Sequence, residues 1–445
     1  MPPEVAWDVP NPTRARVSGR RPPARSVLAG GGVAEYRSPA RAEEESAMPL
    51  PLEGYRILDL SVWQQGTYAT AMLADMGADV IKIESYANPD PGRGLIQGGP
   101  RNAYFNTLNR GKRSILLDMK NPAGMEVFWR LVQTADVFHN NMRGGVMERL
   151  GVTFETIQQH NPRCLYSSAT GWGHLGPDAR TGAMDLLAQA RGGFMSVTGE
   201  GEAGPPTPGG FPQADHVGAL ISGYAIVLAL LHRERTGEVQ EVNTSLYGSQ
   251  MTIQSYNITA AMWSGQLPGR RRHDQRPPTW NHFQAGDGKW FMVGFLPADK
   301  WWPQFCDVLG SEELKHDPYR TAAQRLERLA EVTAKMDAIF QMKTRDEWVT
   351  LFHAQDLLVQ PVMDYLEIGK DPQAWANGYL VEVPDEVGKP WPMVGSPVHL
   401  SKTPARIAKQ APEFGQHTEE VLLESGFTWD EVEAYRARGA FGELG

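Results

Sequence analysis

The residue spacings that mark common chemistries are missing from this chain. It has no GxxxxGK[ST] phosphate loop, no HExxH or close pair of histidines for a metal, and no GxSxG for a serine hydrolase. The first strand-to-helix turn carries only Gly66 where a nicotinamide site would need GxGxxG. What remains is carboxylate and cation chemistry. Asp215, in Gln213-Ala214-Asp215-His216, stands immediately before a long apolar stretch. An Asp so placed most often caps a helix. It can also act as a nucleophile, and the positive end of a helix would help keep it ionised. Lys112 and Arg113 lie together in NRGKRSI, and Arg143 and Arg149 in NNMRGGVMERLG. Such residues can pair with phosphate, Arg in bidentate fashion, although each one alone is more often a solvated surface charge.

The elements that must position these groups alternate between strand and helix. Arg56–Leu60 reads as a short buried strand, residues 66–76 as a helix and residues 78–84 as a second strand. Strand, helix and strand in so short a span imply a parallel sheet. Asn121-Pro122 starts a helix with a capping Asn and a Pro in the first turn, and Met125, Phe128, Leu131 and Val132 form its apolar face. Strands follow at 136–138 and 164–168, and residues 88–100 and 199–210 read as loops. A long helix from Asp215 to about Arg235, ended by Thr236-Gly237, precedes a strand at 239–245. Residues 265–280 are basic and Pro-rich, a connection or flap, and Asp287-Gly288 predicts a hairpin leading into 290–294. Residues 300–355 are mainly helical, Thr428 and Glu431 form a capping box, and Gly439 is a helix-ending glycine.

The net charge of -9 argues against broad nucleic-acid binding, while a local basic cluster can still hold a small anion. The two cysteines, Cys164 and Cys306, are far apart and argue against a disulfide framework or structural zinc. They favour a reducing compartment, the cytoplasm. The longest apolar run, 217–231, falls short of the ~20 residues of a membrane span and is expected to be a buried core helix. Residues 1–47 are rich in Pro, Arg, Ala and Gly without periodicity, and are expected to form a disordered extension, with Met48 as an alternative start. Glu43, Glu44 and Glu45 count against a transit peptide.

Five longer stretches are more specific. RILDLSVWQQGTYATAMLADMGADVIKIE, NRGKRSILLDMKNPAG, DVFHNNMRGGVMERLGV, ADHVGALISGYAIVLALLHRERTGEVQEVNTSL and HTEEVLLESGF occur in that order. Together they resemble the class III CoA-transferases, the family of formyl-CoA:oxalate and carnitine CoA-transferases. The resemblance implies an α/β fold: a Rossmann-like large domain, an inserted smaller α+β domain, and an interlocked homodimer. On this chain the divisions would be 48–235 for the first part of the large domain, 236–330 for the smaller domain and linkers, and 331–445 for the rest and the return to the large domain.

The resemblance further implies transfer of coenzyme A, as a substrate, from an acyl-CoA to a carboxylic acid, with no metal. Asp215 matches the family nucleophile, which forms an anhydride and then an aspartyl-CoA thioester. Asp185 aligns with an acidic site position, although helix capping is an equal reading. Gln64 matches an amide that could donate to a developing oxyanion. Lys112, Asn141, Met142, Val146, Arg149 and Leu150 would line the CoA cleft, with Arg143 beside them.

Three positions depart from the family pattern. Thr67 replaces a Pro after Gly66, Ser85 replaces an adenine-stacking Arg, which implies a different packing of the adenine, and RPPTWNHFQAGDGKW takes the place of a glycine-rich loop over the active site, which argues against oxalate as acceptor. Trp63, Met184, Phe194, Met195 and Trp263 are candidates for an apolar acyl pocket suited to larger acids. Two rival readings stay open. One is an acyl-CoA racemase of the same superfamily, whose histidine would fall at Met184, leaving His174 and His216 as nearby acid–base candidates. The other is a non-catalytic acyl-CoA-binding protein, which would have no use for Asp215.

Overall fold

The computed structural model describes residues 48–94 and 102–442. The expected extension, 1–47, and part of the first loop lie outside the described residues. Six strands build one sheet: β1 (Arg56–Leu60), β2 (Asp79–Glu84), β3 (Arg113–Leu116), β4 (Val137–Asn140), β5 (Leu165–Thr170) and β6 (Glu241–Ser245). All five pairings are parallel, and the spatial order is β3-β2-β1-β4-β5-β6. This is the doubly wound order of Rossmann-type folds. The helices up to residue 264 are α1 (Gln65–Ala74), α2 (Ala103–Asn109), α3 (Pro122–Val132), α4 (Val146–Arg149), α5 (Phe154–His160), α6 (Asp185–Arg191), α7 (Phe194–Val197), α8 (Gln213–Thr236), α9 (Leu246–Thr252) and α10 (Ser255–Ser264).

Successive strand residues point to opposite faces, so each face needs its own cover. On one face Leu58, Ile81 and Phe138 pack with Phe128 and Leu131 of α3 and with Val421, Leu422, Val432 and Phe441 near the C-terminus. On the other, Ile57, Val80, Val137 and Leu165 pack with Leu73 of α1 and Ile226, Ala229 and Leu230 of α8. The C-terminal residues are also hydrogen-bonded into the sheet region. Leu116 N donates to Thr418 Oγ1 at 3.1 Å, and Asp118 N to Ala440 O at 2.7 Å.

A separate core gathers Phe283, Phe291, Trp302, Phe305, Phe340 and Trp348 around a second, antiparallel sheet. Its strands are β7 (Trp280–Gln284), β8 (Trp290–Gly294) and β9 (Val359–Pro361), with helices Ala298–Leu309, Leu329–Phe340 and Arg345–His353 against them. The Asp287-Gly288 turn forms, with Gly288 at φ +77.

α8 differs from expectation at both its start and its surface. It begins at Gln213, so Asp215 is its third residue rather than the residue before it. With 24 residues it is long and apolar enough to cross a membrane by length and composition. It is only half buried. Gly218, Ser222, Ile226 and Ala229 face inward, while Leu220, Tyr224, Val227, Leu228 and Leu231 form an exposed apolar stripe.

Candidate active site

In the doubly wound order the chain leaves β1 and β4 in opposite directions, which opens a crevice at their carboxyl ends. A cavity of about 580 Å³ lies there. Val62, Trp63 and Gln64 after β1, Asn141 to Gly144 after β4 and Gly171 after β5 form its floor. Met184, Asp185 at the start of α6, the Gly209–Pro212 loop, Asp215 of α8 and Tyr104 of α2 complete it.

The loop after β1 is held on several sides. Val62 N donates to Asn141 Oδ1 at 2.9 Å and Asn141 Nδ2 donates back to Val62 O at 2.7 Å. Trp63 takes a positive φ of 62, rare for a residue with a side chain. It is pinned there: its N–H donates to Asp90 Oδ1 at 3.1 Å and its carbonyl accepts from Thr67 Oγ1 at 2.6 Å. Asp90 is fixed in turn by the fully buried Lys82 ammonium, 2.8 Å away. Surroundings that over-determine a strained residue are typical of functional loops.

Asp185 caps the neighbouring helix rather than its own. Its Oδ1 accepts the Asp215 backbone N–H at 3.0 Å and its Oδ2 accepts Gln189 Nε2 at 2.6 Å. Gln189 Oε1 accepts the Gly209 N–H at 2.8 Å, which ties the Gly209–Pro212 loop to the same carboxylate. Burial, and then the charge of Asp185, push the Asp215 carboxyl up to about 7. The expected support from the helix end is outweighed by these two effects. The Tyr104 phenol is pushed up as well, by burial and then by the charges of Asp215 and Asp90.

Gln64 is buried, and its amide nitrogen lies 2.6 Å from His216 Nδ1. The His216 ring is set edge-on to Tyr68 and Phe211, with centroids 5.1 and 6.2 Å away. The Nδ1 of that ring is shared between Gln64 and the Pro212 carbonyl, 3.1 Å away. His174, the other acid–base candidate, is exposed and does not line the cavity.

Of the residues singled out from sequence, the cleft brings together Gln64, Asn141, Met142, Arg143, Asp185 and Asp215. Asn141 spends its amide on the Val62 backbone. Arg149 of α4 does not line the cavity. A Cβ at Gly145 would meet its guanidinium at 3.2 Å and that of Arg180 at 3.7 Å. Arg143 Nε donates to Arg180 O. Among the described residues, no carboxylate pairs with Arg143, Arg149 or Arg180. Val146 and Leu150 do not line the cavity, and Leu150 packs on the first core.

Lys112 is the clear departure. Its side chain is fully buried, and its Nζ donates to Asp59 Oδ2 at 2.8 Å, Thr67 O at 2.7 Å and Asn109 Oδ1 at 3.0 Å. It neutralises the Asp59 carboxylate of β1 and does not line the cleft. Of the apolar candidates, Trp63 and Met184 line the cavity, whereas Phe194, Met195 and Trp263 do not. Tyr104, Arg180 and Gln65 were not singled out from sequence. Tyr104 and Arg180 lie outside the five matched stretches, while Gln65 sits in plain view beside Gln64.

A parallel α/β fold with the Asp215 carboxylate and the Arg143 guanidinium in its switch-point cleft suits chemistry on anionic substrates. Residues 52–418 match the model of CoA-transferase family III, and the chain belongs to that family of enzymes. It is 33% identical to the succinyl-CoA:mesaconate CoA-transferase of Haloarcula marismortui, over 84% of this chain and 96% of that protein. It is 34% identical to a formyl-CoA:oxalate CoA-transferase of Rhodopseudomonas palustris, over 84% and 93%. Among solved structures, a CAIB/BAIF family protein from Brucella suis superposes with a TM-score of 0.77 at 28% identity, covering 85% of this chain and 100% of that one.

Proposed function

We propose that this CoA-transferase works through a covalent intermediate on Asp215. An Asp215 oxygen attacks the acyl carbonyl carbon of the donor, the carbon–sulfur bond breaks, and CoA leaves as thiolate with the bonding electrons. The thiolate then attacks the Asp215 carbonyl of the mixed anhydride and expels the donor carboxylate, leaving an aspartyl-CoA thioester. An acceptor carboxylate attacks that thioester and releases CoA thiolate. The thiolate finally takes the acceptor acyl group from the second anhydride and returns Asp215 as carboxylate. The thioester energy is conserved at each step, so no nucleotide is consumed.

The observation that carries this reading is the Asp215 carboxyl, in the cleft wall and pushed up to about 7. A carboxylate of raised basicity is a stronger nucleophile once ionised. Arg143 lines the cleft, Arg149 and Arg180 lie beside Gly145, and none of the three pairs with a carboxylate among the described residues, which supports them as ligands for the phosphates of CoA. Trp63, Met184 and Phe211 in the lining support an acid larger and less polar than oxalate. The exposed stripe of α8 supports a homodimer, and two free buried cysteines support a reducing compartment, the cytoplasm.

Mass spectrometry tests the route. Protein incubated with acyl-CoA and then hydroxylamine or borohydride should carry a modified Asp215 peptide, and Asp215→Ala should carry none. Exchange of the acyl α-proton with solvent, without any modification of Asp215, would replace this reading by racemase chemistry.

A further inference from the structure

Gln65 is 4% exposed, and its side-chain Nε2 has no hydrogen-bond partner although the residue lines the cleft. A buried amide donor left unpaired costs about 1–3 kcal/mol. Such a group in a well-packed wall calls for a partner that the free chain lacks. Its location narrows what the partner is. A Cβ at Gly218 would meet Gln65 Nε2 at 3.0 Å. Gly218 is three residues beyond Asp215 on α8, hence on the same face and about one turn away. The neighbouring Gln64 nitrogen is already turned to His216. Among the described residues, Gln65 Nε2 is a buried donor on this wall with no partner at all.

We infer that Gln65 is a further catalytic residue, whose amide N–H donates to the carbonyl oxygen that becomes charged at each addition step around Asp215. The inference rests on the covalent route proposed above. In each step the attacking carboxylate or thiolate shares an electron pair with a carbonyl carbon, and the charge moves to the carbonyl oxygen. Collapse of the adduct returns the charge to the departing thiolate or carboxylate. Gln65 would hydrogen-bond the oxygen throughout and transfer no proton. A donor fixed before the reaction and unpaired in the ground state stabilises the transition state selectively.

Two substitutions test this. Gln65→Met keeps length and burial but removes the donor, and Gln65→Glu keeps the shape but puts an acceptor where the donor was. Loss of a single oxyanion donor costs about 100- to 1,000-fold in kcat, so Gln65→Met should lose that much while both KM values stay within about threefold. Its unfolding temperature should equal or exceed that of the wild type, because the unpaired buried donor is gone. Gln65→Glu should be at least as slow. Wild-type kcat in Gln65→Met would overturn the inference, as would a loss of kcat accompanied by a lowered unfolding temperature, which marks a packing role. The rate of Asp215 modification separates the two claims. Wild-type protein that never labels Asp215 overturns the covalent route itself, whereas normal labelling in Gln65→Met overturns only the donor.

Discussion

Asp215 is poised by its neighbours. Burial and the adjacent Asp185 charge both favour its protonated form, which sets its carboxyl at about 7. The nucleophile is the ionised form, so kcat/KM is expected to rise with pH and level off above 7. Asp185→Asn removes the repulsive charge, lowers the Asp215 pKa, and should move the acidic limb of the profile to lower pH. An unmoved limb would show that another group titrates there. Lys112 and Arg149 separate just as sharply. Removing one partner of a buried ion pair costs about 3–5 kcal/mol, so Lys112→Met should lower the unfolding free energy by that order. The KM for acyl-CoA of the folded fraction should stay the same. Arg149→Ala should do the opposite: stability within about 0.5 kcal/mol of the wild type and a raised KM for acyl-CoA. Both residues lie in stretches that resemble the same family, and the sequence placed them together. It could not tell them apart, because the direction of a side chain is set by other elements. Asp59 of β1 and the Thr67 carbonyl of α1 draw Lys112 inward.

Elements were legible where their signals are local. The Asn121 side chain accepts Ala123 N at the start of α3. Thr428 and Glu431 close a capping box, and Gly237 ends α8 at φ +78. These are short-range hydrogen bonds written in adjacent residues. The start of α8 was misplaced for the complementary reason: the Asp215 N–H is capped by Asp185, thirty residues away in sequence. The order of the strands, and with it the switch-point cleft, was equally hidden, because strand neighbours are chosen by packing between distant segments. At this scale the loop after β1 offers a direct test. A Cβ at Gly66 would come within 2.6 Å of Ser61 Cβ and 3.0 Å of Asn141. Gly66→Ala should therefore cost about 1–3 kcal/mol of stability, and should depress kcat by displacing Gln64 and Gln65. Thermal unfolding and steady-state rates on the same sample would check it; a stable, fully active variant would mean the loop yields.

Over the whole molecule, the outer face of α8 is the least expected surface. An apolar run of this kind reads as core, and half of it is core. The other half, Leu220, Tyr224, Val227, Leu228 and Leu231, repeats at helical spacing and faces out. A second copy of the chain is the proposed cover. Val227→Lys together with Leu231→Lys should shift the protein from dimer to monomer in sedimentation velocity and lower its unfolding temperature. A wild-type protein that sediments as a monomer would remove the dimer from the proposal.

The first core is assembled from both ends of the described chain, with Val421, Leu422, Val432 and Phe441 lying against strands that begin at Arg56. The core around Phe283 and Trp348 is made wholly from residues in between. On a ribosome, therefore, the later segment has all its parts first. It can close while the face of β1 to β6 under α3 still lacks the part of its cover that Val421, Leu422, Val432 and Phe441 supply, and that face stays partly open until those residues have been made. Chaperone dependence should concentrate in that interval, and a stop codon just before Val421 should cost the nascent enzyme the sheet of its catalytic cleft while sparing the core around Phe283 and Trp348.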